Sequence, residues 1–187
     1  MNKVIENIHQ RRSVRQFENK NIPEDILNSI IDAANAAPSA MNLQQWRFLV
    51  VRDESFRKRI AGIAYEKYKV WLNSASDDFK ERRREIDAQV EDPIYYDAPV
   101  IIFVIGSGMT AHFDCPMVCQ NIMLAARSYD IGSCWVYLGQ MIFDDQDIRN
   151  IMELKETESV YGPIILGYPM GEFPEPPARK EHPVIWL

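Results

Sequence analysis

Residues Val100-Ile101-Ile102-Phe103-Val104-Ile105 form an unbroken apolar run introduced by Pro99. No polar residue alternates within it, as it would on a strand with one wet face, so it reads as the central strand of a covered sheet. The run is far short of the ~20 apolar residues that a membrane-spanning helix needs. Helical and strand patterns flank it on both sides in sequence. Val4, Ile5 and Ile8 suit a short N-terminal helix running into Arg11 and Arg12. Pro23, with Glu24 and Asp25 behind it, opens a stronger helix carrying Ile26, Leu27, Ile30, Ile31, Ala34 and Ala37, which Pro38 should end. Trp46–Val51 reads as a buried strand, and 54–88 as charged helix broken near Asn73-Ser74. Asp114 and Pro116 should open a helix that Gly132 closes. Ser133–Tyr137 and Ser159–Leu166 read as strands, with a short helix capped by Asp144 between them. Helices and strands mix without regular βαβ alternation. The expectation is one α+β layered domain over residues 1–187.

The segment Gly171–Leu187 stands apart, since it holds 4 of the 11 prolines. At ~3.1 Å per residue, such an extended arm would cross a whole subunit. The Asp77–Glu91 stretch, with Arg82-Arg83-Arg84 among acids, reads as a solvated helix.

Composition narrows the class of function. The formal net charge is −6, which argues against a general nucleic-acid or anionic-membrane surface. The N-terminus lacks the apolar segment of a signal peptide, and three cysteines suit free thiols in a reducing cytoplasm. His9, His112 and His182 lie far apart and form no metal-spaced set, so no metal is expected. There is no P-loop, no dinucleotide fingerprint and no nucleophile elbow.

Three clusters carry chemistry. Arg11-Arg12-Ser13-Val14-Arg15 is a dense set of donors shaped for a phosphate and a polarised carbonyl, or else a solvated helix end. Ala37-Pro38-Ser39-Ala40-Met41-Asn42-Leu43-Gln44-Gln45-Trp46 is either an ordinary helix-to-strand turn or a loop presenting Ser39, Asn42 and Gln44 to a ligand. Leu166-Gly167-Tyr168-Pro169 permits close backbone approach at a strand end, and Arg179 and Lys180 on the arm add two cations.

Together and in this order, these segments resemble the FMN-dependent nitroreductase family. Gln120-Asn121-Ile122-Met123-Leu124-Ala125-Ala126 and Gly132-Ser133-Cys134-Trp135 extend the likeness over nearly the whole chain. Gln45 departs from it, standing where proline is usual, as does Ala40, where serine is common. The resemblance implies a mostly antiparallel sheet of four to five strands, flanked by helices, in an intertwined homodimer with FMN at the interface. It implies that Arg11 and Ser13 hold the FMN phosphate, with Arg12 beside them and Arg179 and Lys180 closing from the arm. Arg15 would meet the pyrimidine edge. Pro38, Ser39, Ala40, Asn42 and Gln44 would come from the other subunit, and Tyr137-Leu138-Gly139, read as a strand end, would place a backbone N–H near flavin N5.

The implied activity is ping-pong transfer of hydride from NADH or NADPH to a small electron-poor acceptor such as a nitroaromatic, a quinone or free flavin. No side chain is then required as catalytic acid or base. Two other readings stand beside it. One is a dedicated flavoenzyme, whether a dehalogenase, an enoate reductase or a flavin-cleaving enzyme. The other is a flavin carrier or sensor with little turnover.

Overall fold

The computed structural model describes residues 2–88 and 90–187, Glu85 through its backbone only. Its elements in chain order are α1 (Lys3–Gln10), α2 (Glu24–Asn35), β1 (Trp46–Val51), α3 (Glu54–Ser74), α4 (Asp77–Asp87), β2 (Val100–Ser107), α5 (Ala111–Ser128), β3 (Gly132–Trp135), α6 (Gln146–Ile151) and β4 (Glu158–Gly167). The four strands form one sheet in the order β1-β2-β4-β3, and every neighbouring pair is antiparallel. The fold is therefore α+β, with helices on both faces of the sheet.

The apolar run explains the layering. Val100, Ile102 and Val104 point to one face, where they pack with α2 and α5 through Leu27, Ile30, Val118 and Ile122. Ile101 and Phe103 point to the other, against Ile60, Ala64 and Tyr68 of α3 and against Ile142. A strand sandwiched between two helical layers has no wet face, so alternation disappears from its sequence. Each such side chain contributes about 1.5–3 kcal/mol by its burial.

Several boundaries differ from the sequence expectation. β1 is an edge strand and only half-buried, apart from Val51. Helix α2 stops at Asn35, before Pro38, because the residue preceding a proline resists helical dihedrals. Helix α5 begins a turn before Asp114, and Asp130, at φ 56°, turns the chain out of it. Gly132 instead starts β3. That strand ends at Trp135, and Tyr137–Asp144 forms a 3-10 helix where strand was expected to reach Tyr137. Asp145, not Asp144, caps α6 by accepting from the Ile148 N–H. Helix α4 ends at Asp87, and residue 89 of the expected Asp77–Glu91 helix lies outside the described residues.

Residues 174–187 carry neither helix nor strand and are exposed, down to Val184, Ile185, Trp186 and Leu187. Among the described residues no helix is long and apolar enough to cross a membrane.

Candidate functional site

The segment after α1 is laid along the free edge of β3. Val14 N–H donates to Ser133 O at 3.0 Å, Ser13 bridges Ser133 in parallel, and Phe17 bridges Pro169 beyond the end of β4. Two glycines make this docking possible. A Cβ on Gly132 would lie 2.8 Å from Val14 Cβ, and one on Gly167 would lie 2.6 Å from the Phe17 ring. The approach that Gly167 permits is thus to Phe17 and Pro99 of the chain itself.

This docking gathers Arg11, Ser13 and Arg15 around Cys134. The Cys134 thiol is pushed up by burial, while the nearby Arg15, Ser13 and Arg11 pull it back. Arg11 is held below the usual guanidinium value, chiefly by burial and then by the like charges of Arg179 and Arg12, with Cys134 acting against them. No carboxylate is among the groups acting on it, and among the described residues none of Arg11, Arg12, Arg15 or Arg179 forms an ion pair. Arg12 is turned away, its Nη1 donating to His9 O at 2.6 Å and Arg11 O at 2.7 Å, and its Nε is buried without a partner. The arm is steered toward this cluster at its root. The Arg127 guanidinium stacks 4.2 Å from the Phe173 ring centre and also donates to Gln10 and Asp130. Lys180 follows Arg179 on the exposed arm.

A cavity of about 330 Å³ adjoins the cluster, lined by Ser13, Arg15, Ile86, Val90, Tyr96 and Met170 among others. Tyr137 and Leu138 open the neighbouring 3-10 helix, and among the described residues their N–H groups meet no acceptor. Gly139 differs: its N–H donates to Val136 O at 3.2 Å, and its carbonyl accepts from the Tyr95 hydroxyl at 2.8 Å.

The Pro38–Gln45 loop is built at the opposite corner of the sheet. It winds through a 3-10 turn at Ala40–Asn42, with Met41, Asn42 and Gln44 all at positive φ. Ser39 Oγ accepts from Gln44 N–H, Gln44 Nε2 donates to Asn42 Oδ1, and the buried Asp114 carboxylate accepts from Ala40 N–H at 3.3 Å. Trp46 faces Gly106 in register, whereas Ser133 faces Leu166, which faces Val100. Three strand spacings and six residues along a strand separate the loop from the Arg11 cluster, a diagonal of about 25 Å. One chain does not bring the two clusters together.

The Nitroreductase family model matches residues 8–168. The chain belongs to the nitroreductase family. A nitroreductase with bound FMN from Bacteroides fragilis has the same fold, with 30% identity, a TM-score of 0.77 and full coverage of both chains. An iodotyrosine deiodinase of Thermotoga neapolitana is 28% identical over 177 residues, which cover 91% of each chain. An NADH dehydrogenase of Thermus thermophilus is 26% identical, covering 95% of this chain and 92% of its own.

One feature of this nitroreductase-family chain escapes sequence reading. Arg83 of α4 is only 8% exposed. Its Nε donates to Tyr68 Oη, its Nη1 to Tyr96 Oη and its Nη2 to Pro93 O at 2.8 Å, and it pairs with Asp87 at 2.6 Å. Burial works against its charge, but the two phenols and Asp87 outweigh that and hold its pKa above the usual value. Three consecutive arginines are spread about 100° apart around a helix, so they do not share one face and one of them can turn inward where the helix packs. That spacing was the available signal. The cysteines, by contrast, are free and buried, and burial pushes Cys115 up to about 12, which leaves it an inert thiol. Among the described residues no three His, Cys, Asp or Glu gather as a metal site.

Proposed function

We propose that this protein is an FMN-dependent oxidoreductase acting as a homodimer, which takes hydride from NADH or NADPH and reduces a small electron-poor acceptor. The observation that carries the reading is Arg11: a half-buried cation beside Ser13, crowded by Arg12 and Arg179, with no carboxylate to balance it. Cations gathered at such a cost call for an anion, and guanidiniums beside a hydroxyl suit a phosphate. When bound, FMN supplies the redox chemistry, accepting hydride at N5 and giving electrons to the acceptor.

The chain's own residues bind and tune. Arg11 and Ser13 hold the phosphate, and Arg179 and Lys180 close over it. Arg12, bonded to the carbonyls of His9 and Arg11, braces the segment from behind. Arg15 brings positive charge to the pyrimidine edge, which favours electron uptake there. Tyr137 and Leu138 offer unpaired N–H donors for N5, a role the engaged N–H of Gly139 does not serve as it stands. Pro38, Ser39, Ala40, Asn42 and Gln44 reach the cofactor from a second chain, because the sheet keeps them a diagonal away from their own Arg11. The exposed arm, ending in Val184-Ile185-Trp186-Leu187, suits contact with that second chain. Three free thiols fit the reducing cytoplasm.

The Thermotoga deiodinase, alike over 91% of both chains, favours a second reading in which the acceptor is a halogenated phenol and the reaction is reductive dehalogenation. The purified protein should be yellow and bleach on addition of NADH or NADPH. A panel of nitrobenzene, a quinone and 3-iodotyrosine then separates the readings, many modest rates indicating a broad reductase and one dominant rate a dedicated enzyme. A colourless protein that binds no added FMN would sink both.

A further inference from the structure

Helix α4 carries more charge than any other helix near the site, yet its central cation is the one turned inward. Arg83 is held from three directions: it donates to Tyr68 on α3 and to Pro93 and Tyr96 on the 92–98 segment, and it is ion-paired with Asp87 one turn along its own helix. Tyr68 Oη in turn donates to Asp87 Oδ2 at 2.7 Å. Tyr96 sits at φ 58°, a conformation that costs a bulky residue energy and persists only where its surroundings hold it. The other side of Tyr96 is functional ground: its ring lies 5.8 Å from the Arg15 guanidinium and lines the same cavity as Ser13, Arg15 and Ile86.

We propose that Arg83 is a positioning residue, clamping α4 over the cavity and, through Tyr96, fixing the wall against which Arg15 is placed. The planar fork is essential to this role, since three separate oxygens are met by its three nitrogens, which the point charge of lysine does not reproduce. Closure of α4 and occupation of the Arg15 side of the cavity are then coupled, and the coupling is reciprocal. This rests on the flavin reading for its second half only, because the clamp exists in the protein alone.

The test uses the exposed Arg82 and Arg84 of α4 as trypsin sites, with FMN titration alongside. Cleavage in a native protein follows the open population, so losing one charged hydrogen bond should speed cutting after Arg82 or Arg84 by about tenfold. Arg83→Lys and Tyr96→Phe should both show this in the apoprotein, and both should weaken FMN binding and shift the bound flavin's absorption spectrum. Tyr68→Phe, which leaves the bond between Arg83 and Tyr96 in place, should speed cleavage while keeping the wild-type flavin spectrum. FMN should protect α4 in the wild type and lose that protection in Arg83→Lys. Cleavage of both Arg83→Lys and Tyr96→Phe at the wild-type rate would overturn the clamp. Faster cleavage of these two variants with unchanged FMN affinity and spectrum would overturn the positioning role. A wild-type protein that binds no FMN would instead defeat the flavin reading, and the apoprotein rates would still decide the clamp.

Discussion

Replacing Gly132 with alanine tests how the Arg11–Arg15 segment is held. A Cβ there would lie 2.8 Å from Val14 Cβ and Cγ2 and 2.9 Å from Cγ1, where ordinary contacts run from 3.4 to 4 Å. The segment must therefore retreat by roughly 0.6–1 Å, against overpacking costs of about 1–3 kcal/mol. That retreat also lengthens the 3.0 Å bond from Val14 N–H to Ser133 O beyond useful range, at a further cost of about 0.5–1.5 kcal/mol. The sum, about 1.5–4.5 kcal/mol, corresponds to a fall in melting temperature of roughly 3–18 °C for a domain of this size. Because Ser13 and Arg11 move with Val14, FMN affinity should fall by about tenfold or more, each factor of ten being about 1.4 kcal/mol. Calorimetry of the apoprotein and fluorescence titration with FMN read the two effects. Gly62→Ala is the control. Gly62 is a glycine within α3 with nothing within 4 Å of its would-be Cβ, so alanine should stabilise by about 0.5–1 kcal/mol. A Gly132→Ala protein that melts and binds FMN like the wild type would refute the docking argument.

Two further predictions concern charge. Arg11→Ala should weaken FMN binding at least about tenfold through loss of a charge-assisted bond, whereas Arg15→Ala should mainly lower the potential of the bound flavin; titration and equilibrium redox measurement separate them, and equal effects on both quantities would contradict this division of roles. On β4, the bidentate bond from Arg47 brings the Glu158 carboxyl from 4.5 to about 2. A depressed carboxyl stabilises the fold above its unfolded value and loses that contribution as pH falls from about 4.5 toward 2. The shift alone corresponds to about 3 kcal/mol. Arg47 is 38% exposed, so solvent screening reduces it to about 1–2 kcal/mol. Urea titrations between pH 6 and pH 3 should show about half of that loss in the wild type and a flatter profile in Glu158→Gln.

The layering was legible because the Val100–Ile105 run of β2 has no polar residue to betray a wet face, and the break between α3 and α4 because Asn73-Ser74 interrupts the helical pattern. The Arg11–Arg15 cluster was legible as donors, but its docking depends on Gly132 and Gly167, residues distant in sequence whose value lies in absent atoms. The Pro38–Gln45 loop hid its form: Met41, Asn42 and Gln44 adopt positive φ with no glycine among them, held by Asp114 from α5. Strand was expected to run to Tyr137, with Tyr137-Leu138-Gly139 as its end, because Val136 and Tyr137 favour strands locally; the helical turn found there is set by packing of Gly139 against Tyr95 and Pro163. Arg83 is hidden for a related reason. Its burial is decided by phenols on two other segments, and nothing within α4 names them.

The central claim is that each site takes Arg11 from one chain and the Pro38–Gln45 loop from another. It is tested most directly by mixed dimers of Arg11→Ala with a Ser39→Ala/Asn42→Gly chain, in which the glycine keeps the positive φ and removes the amide. In a site shared between chains, the mixed dimer regains one intact site, so it should bind one tightly held FMN per dimer while each parent binds FMN weakly. If both clusters of a site came from the same chain, every site in the mixed dimer would carry one defect, and no tight FMN would be recovered.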